Sequence, residues 1–311
     1  MAKPRNRLLD YLAYLVVRLA TFLDYVLPWS IRHCMTHLVA YLIFRIDRRH
    51  RNRAMGHLRR SFPDWSEEAC RRVAWQSFLS MSYMAMEILL APRLVRADTW
   101  GRHIRLRDMG EAVRLMVQRK TGVIILTGHF GNWELAGYLT GATGLPTVTI
   151  GRRLGNPYLQ KYILHLRQKA GQRMLDKEGA SRLAGPVLEN RGVLTIACDQ
   201  DAGRKGLFVD FFGRPASTYK SIGLLAMQYR TPLCVIYCRR LRGTYRFEVG
   251  AQRIIHPQEW DGKDDPLRWI TQEYTTAMEQ VVRGEPQQYL WAHRRWKHRP
   301  GGKEDPPDGI A

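Results

Sequence analysis

Acidic residues are in short supply in this 311-residue chain: 28 Asp and Glu stand against 49 Lys and Arg, a formal net charge of +21. That imbalance calls for an anionic partner, which can be nucleic acid, an anionic membrane face or an acidic protein. Cysteine is sparse too. The 5 cysteines are odd in number and no Cys-x-x-Cys occurs, which excludes a disulfide framework or a zinc ribbon and fits a reducing compartment. Cys234 and Cys238, in the apolar run PLCVIYC, read as buried small hydrophobes. There is no internal repeat. No uncharged apolar run reaches the roughly 18 residues that a spanning helix needs. What remains is ordinary globular composition, 45% hydrophobic and 25% charged, which excludes a disordered or collagen-like chain.

The start of the chain is apolar but interrupted. After MAKPRNR comes LLDYLAYLVVRLATFLDYVL, where Asp10, Arg18 and Asp24 break what would otherwise look like a signal peptide, and no convincing cleavage site follows. The interruptions are ordered. Asp10, Tyr14, Arg18, Thr21 and Tyr25 step by three or four, which predicts one narrow polar stripe on a helix whose remaining surface is apolar. Pro28 ends that helix, and IRHCMTHLVAYLIF predicts a second. Residues 8–46 therefore read as a helical hairpin lying in or on a membrane interface, with the basic run RIDRRHRNR behind it as a second attachment to an anionic leaflet. A long helix follows over 64–91, capped by Asp64 or Ser66. Its apolar second half carries Glu87, which must be paired if buried, either in a structural ion pair or lining a site.

From about residue 105 the pattern turns to α/β. GVIILT (122–127), TVTI (147–150), GVLTIA (192–197) and PLCVIY (232–237) predict buried strands. Helical stretches lie between them, near 132–142, 157–171, 180–190 and 219–230. YRFEVGAQRII (245–255) suggests an edge strand, and DDPLRWITQEYTTAMEQVVRG a last helix closed by Gly284. The fold class is α/β, a mostly parallel sheet flanked by helices, behind an N-terminal helical membrane-association region. The domain reading is 1–95 for that region, 96–300 for the α/β domain and 301–311 for a disordered tail.

The densest chemistry lies in TGHFGNWELAG (127–137), at the end of one strand and the start of a helix, where open α/β sheets collect reactive groups. His129 sits between Gly128 and Gly131, and Glu134 follows five residues on. A histidine there can take a proton from a hydroxyl while a carboxylate fixes its tautomer. It can equally be a helix cap beside a solvated glutamate. Further on, Asp199-Gln200-Asp201 has the form of a divalent-metal and nucleotide-sugar site, which would make the protein a membrane-associated glycosyltransferase. HRRWKHR interleaves Arg with Trp296 in a way that suits nucleic acid; within it, a structural end-piece and a rim for donor phosphates both remain open.

The blocks of the chain resemble those of the bacterial lipid A late acyltransferases, within the lysophospholipid and glycerolipid acyltransferases. HFGNWE is similar to that family's His-x-x-x-x-Glu signature. RRSFPDWSEE, GRRLGNPYL, CDQDAGRKGLFVDFFGRPAST and QYLWAHRRWKHRP resemble its other blocks, in order, over about residues 8–300. The resemblance implies a glycerolipid acyltransferase-like fold. It also implies acyl transfer from an acyl carrier protein or acyl-CoA thioester to a hydroxyl of an anionic membrane lipid, with no cofactor, metal or nucleic acid. The place would be the cytoplasmic face of the bacterial inner membrane, at the membrane surface. His129 would be the general base, and Glu134 would orient it. Amides near Gly131 and the Asn132 side chain would hold the oxyanion, Arg152 would hold a phosphate, and Asp199 and Gln200 would complete the substrate-binding set.

Overall fold

Chain order puts helices first: α1 (Arg7–Val26), α2 (Trp29–Ile46), α3 (Arg48–Ser61) and α4 (Glu67–Leu94). Strands and helices then alternate through β1 (Ile104–Arg107), α5 (Gly110–Gln118), β2 (Val123–Thr127), α6 (Trp133–Ala142), β3 (Thr147–Gly151), α7 (Pro157–Lys169), β4 (Arg173–Asp176), α8 (Ala180–Glu189) and β5 (Val193–Ala197). A hairpin of β6 (Leu207–Phe211) and β7 (Arg214–Thr218) precedes α9 (Lys220–Gln228), β8 (Leu233–Arg240), β9 (Phe247–Ile255) and α10 (Pro266–Gly284). The computed structural model describes residues 6–302 other than 146, 152, 170, 177–179 and 244. The expected disorder of the tail from residue 303 onward lies outside the described residues.

Among the described residues, seven strands form one sheet in the order β1-β9-β8-β2-β5-β3-β4. All neighbours are parallel except β8 and β9. The expected edge strand is thus β9, but it lies inside the sheet, because β1 pairs with its outer side. The sequence IRLR of β1 is too short and too basic to announce itself, and only Ile104 of its residues is buried.

Every residue of β2 is buried, as a central parallel strand requires. Its side chains alternate between the faces. Ile124 and Leu126 pack with α3, α4 and α10, while Val123 and Ile125 pack with α5 and α6. Cys234 and Cys238 are buried among the second group, as small hydrophobes. Ala54, Met55, Leu58, Val73 and Phe78 belong to the same cluster as Ile124, so the core crosses the boundary near residue 95.

Asp10, Tyr14 and Thr21 of the polar stripe of α1 turn toward the protein, while Arg18 and Tyr25 are exposed. Thr21 Oγ1 lies 3.0 Å from Tyr162 Oη, the Tyr14 ring meets those of Tyr158 and Tyr162, and Asn156 donates to the Asp10 carbonyl at 2.7 Å. Most of the apolar remainder points outward. Leu8, Leu12, Val16, Leu19 and Phe22 on α1, and Leu38, Leu42 and Ile46 on α2, are all exposed. No described helix is long and apolar enough to cross a membrane. The basic run behind the hairpin is not a uniform surface patch. Arg53 is buried and donates to the Ala292 carbonyl at 3.1 Å, because the middle of α3 packs into the core; Arg48 and Arg49 stay exposed.

Candidate active site

The residues after β2 form a loop sewn into place from three sides. The Gly131 N–H donates to the Gln288 carbonyl and the Asn132 N–H to the Cys238 carbonyl, both at 2.8 Å, and the His129 carbonyl accepts from Leu290 N–H at 3.0 Å. Gly131 has φ +57°, and a Cβ there would lie 1.9 Å from the Cys238 oxygen. Only glycine fits so close an approach of two backbones. Asn132 then caps α6, its Oδ1 accepting from Leu135 N–H at 3.0 Å. Its Nδ2 donates to Glu87 Oε2 at 3.0 Å.

Glu87 is 1% exposed, yet it is fully paired. The Arg240 guanidinium meets both of its oxygens, at 2.5 and 2.8 Å, in the bidentate arrangement that offsets the cost of burial. Of the two readings of Glu87, the structure shows the structural ion pair, which also steadies the loop after β2 through Asn132. Gln288 completes the tie, accepting from Arg240 N–H and donating to the Arg240 carbonyl.

His129 Nδ1 lies 2.8 Å from Asp199 Oδ1, and the His129 N–H donates to Asp199 Oδ2 at 2.7 Å. The sheet explains this meeting. Thr127 and Ala197 are register partners in β2 and β5, so the residues two beyond each strand end arrive side by side. Asp199 is 3% exposed. Burial would raise its pKa, but the His129 charge and hydrogen bonds hold it well below the usual carboxylate range. Burial likewise pulls His129 down. The Asp199 charge and hydrogen bond, with the Glu134 charge, outweigh that and leave its pKa raised. An ionised Asp199 accepts from Nδ1–H, so His129 carries its free lone pair on Nε2. The Gln200 amide nitrogen lies 3.4 Å from that Nε2. Trp133 and His293 pack against the ring, His293 stacked at 5.4 Å between centroids.

Glu134 does not hold His129, contrary to the expectation from its spacing. It stands in the first turn of α6 and meets Arg167 of α7, through Nε at 2.9 Å and Nη2 at 2.5 Å. It acts on His129 through its charge alone. This ion pair also lines a groove of about 470 Å³ walled by Val17, Leu23, Val39, Met86, Leu159 and Ile163. Asp24, also on that groove, is raised to about 6 by burial, opposed by Arg32.

The other expected residues are placed as follows. Gly131 and Asn132 cannot supply the expected oxyanion donors, because the loop itself uses both N–H groups and the Asn132 amide. Arg152 lies outside the described residues. Asp201 turns away from Asp199 and accepts from His298 N–H at 3.2 Å, with its Oδ2 at 2.7 Å from His298 Nδ1. With each carboxylate facing its own histidine, the pair does not converge on a common cation position. In the C-terminal block, Arg295 is 1% exposed and donates to the Ser217 and Gln200 carbonyls. It is a structural end-piece, but one that binds main-chain carbonyls and the Thr218 hydroxyl rather than sheet carboxylates. Sequence reasoning passed over Arg240, Gln288 and His293. The signal for His293 was a histidine in a block that resembled a family signature.

The model of the family described as bacterial lipid A biosynthesis acyltransferase matches residues 2–298. A lipid A biosynthesis lauroyltransferase of Escherichia coli (strain K12) is 25% identical over 283 residues, covering 89% of this chain and 88% of that protein. A lipid A biosynthesis palmitoleoyltransferase of the same organism is 25% identical over 256 residues, 80% of this chain and 79% of the other. A phosphatidylinositol mannoside acyltransferase of Mycobacterium tuberculosis (strain CDC 1551 / Oshkosh) is 30% identical over 122 residues, 38% of each chain.

Proposed function

Because the chain belongs to the bacterial lipid A biosynthesis acyltransferase family and is an O-acyltransferase, we propose that it moves a fatty acyl chain from an acyl carrier protein or CoA thioester to a hydroxyl of a lipid A precursor-like glycolipid or a lysophospholipid. His129 is the general base, held by Asp199. The His129–Asp199 pair carries this reading. His129 Nε2 takes the proton of the acceptor hydroxyl as the oxygen attacks the thioester carbonyl. Asp199 stabilises the imidazolium that forms. The tetrahedral intermediate then expels the thiolate, which recovers the proton from His129. The thioester is already activated, so no covalent enzyme intermediate is required. The positive end of α6 favours the negative charge that develops beside it. The apolar groove beside Glu134–Arg167 has the lining to take a hydrocarbon chain.

The test is an acyl-transfer assay with radiolabelled carrier-protein and CoA donors against a panel of hydroxyl-bearing lipids. Label should enter a glycolipid or a lysophospholipid, and its absence from every acceptor would overturn the reading. Chelation with EDTA is expected to leave the rate unchanged, since Asp199 and Asp201 are engaged by His129 and His298. Loss of transfer restored by Mg²⁺ or Mn²⁺ would return the aspartates to a metal role.

Membrane attachment through α1 and α2, at the cytoplasmic face of the inner membrane, is part of this proposal. A helix that turns most of its polar stripe inward and most of its leucines outward is supported best by a lipid surface. Fully burying one such side chain contributes about 1.5–3 kcal/mol, against about 1 kcal/mol for a basic residue near an anionic leaflet. Apolar burial therefore dominates. High-salt washing should leave the protein on anionic vesicles, whereas the triple variant Leu12→Ser, Leu19→Ser, Phe22→Ser should float with them far less. Release of the unaltered protein by salt alone would mean that charge holds it.

A further inference from the structure

We propose that His293 is a second catalytic histidine, whose Nε2–H donates to the oxyanion formed when the acceptor hydroxyl attacks the thioester. The inference rests on acyl transfer with His129 as base. The two imidazoles stack with ring centroids 5.4 Å apart and planes inclined by 21°, which sets His293 directly beside the base.

The tautomer follows from satisfaction of hydrogen bonds. His293 Nδ1 is buried and has no partner. An N–H stranded there would cost more than an idle lone pair, so the proton belongs on Nε2, at the side of the ring that is not sealed. The ring also stays neutral. Burial pushes its pKa down to about 4; the charges of His129 and Arg295 push the same way, and those of Asp199 and Asp201 oppose them. Neutrality matters for the chemistry. A cation stacked on His129 would resist the proton that His129 must accept, whereas a neutral N–H donor does not. The loop N–H groups of Gly131 and Asn132 are not available for this task, since both are spent on carbonyl oxygens. The His293 main chain is firmly held, its N–H donating to the Leu290 carbonyl at 3.1 Å between the buried Trp291 and Arg295.

The experiment compares three full-length variants by steady-state acyl transfer, with thermal unfolding of each. His293→Ala should lower kcat by roughly 10²–10³-fold, the cost of one oxyanion donor, with KM for either substrate moved less than about threefold. His293→Gln places an amide N–H near the Nε2 position and should recover at least about tenfold over alanine. His293→Asn reaches only the Nδ1 position and should not. If alanine does not fold, the order of Gln above Asn decides alone. Alanine turning over within about threefold of the unaltered enzyme, or Gln and Asn equal, would overturn the proposal. A His129→Ala control that kept its turnover would remove the base and this inference together. Loss in that control with full activity in His293→Ala removes only the second histidine.

Discussion

Turnover is expected to fall roughly 10²–10⁴-fold when His129 is replaced by alanine, and nearly as far in Asp199→Asn although the latter changes one heavy atom. Asp199 accepts twice, from the His129 ring and from the His129 backbone N–H. An amide can satisfy one of these and must present its NH₂ to the other. The charge that raises His129 disappears as well. Burial, which lowers the histidine, is then opposed only by the Glu134 charge. The pKa of His129 should fall, and the acid limb of the kcat/KM profile should move to lower pH. Glu134→Gln should cost less than either, because Glu134 has its hydrogen bonds with Arg167. Matched kinetics on purified variants check the order. A larger loss in Glu134→Gln than in Asp199→Asn would return the orienting role to Glu134.

Stability is expected to drop by about 3–5 kcal/mol in Arg240→Ala, the range for leaving one member of a buried pair without its partner. Glu87 would remain 1% exposed with only the Asn132 amide and no counter-charge. Activity should decline with stability, since Asn132 caps α6 and lies three residues past His129. The double variant Glu87→Leu, Arg240→Met removes both charges and should recover most of the stability but not the loop geometry. Denaturant unfolding reads the first effect and turnover of the folded fraction reads the second. Arg240→Ala within about 1 kcal/mol of the unaltered protein would mean that water reaches Glu87 and solvates it.

Local patterns were legible without coordinates. Apolar β-branched runs, opened by glycine in β2 and β5 and by proline in β8, marked those three strands, and a step of three or four marked the stripe of α1. His129 showed itself by its place at a strand end between two glycines, and Glu87 by sitting among apolar residues, where a carboxylate must be paired. These are properties of one strand or a few helical turns, and the residues that create them are neighbours in the chain. The partner of His129 was of another kind. Glu134 is five residues away and Asp199 seventy, so spacing favoured the wrong carboxylate. The pairing of β2 with β5 brings the distant one to the ring, and the first turn of α6 carries the near one to Arg167. The same holds for the basic run of α3, where composition pointed to a surface and packing buried Arg53. It holds again for the Gly131 amide and the Asn132 side chain, both expected at an oxyanion, which the Gln288 carbonyl and the Glu87 carboxylate occupy. Periodicity and turn chemistry act over a few residues and are written in order along the chain. Which carboxylate meets which histidine, and which N–H stays free, depends on sheet register and on segments that meet only when the core closes.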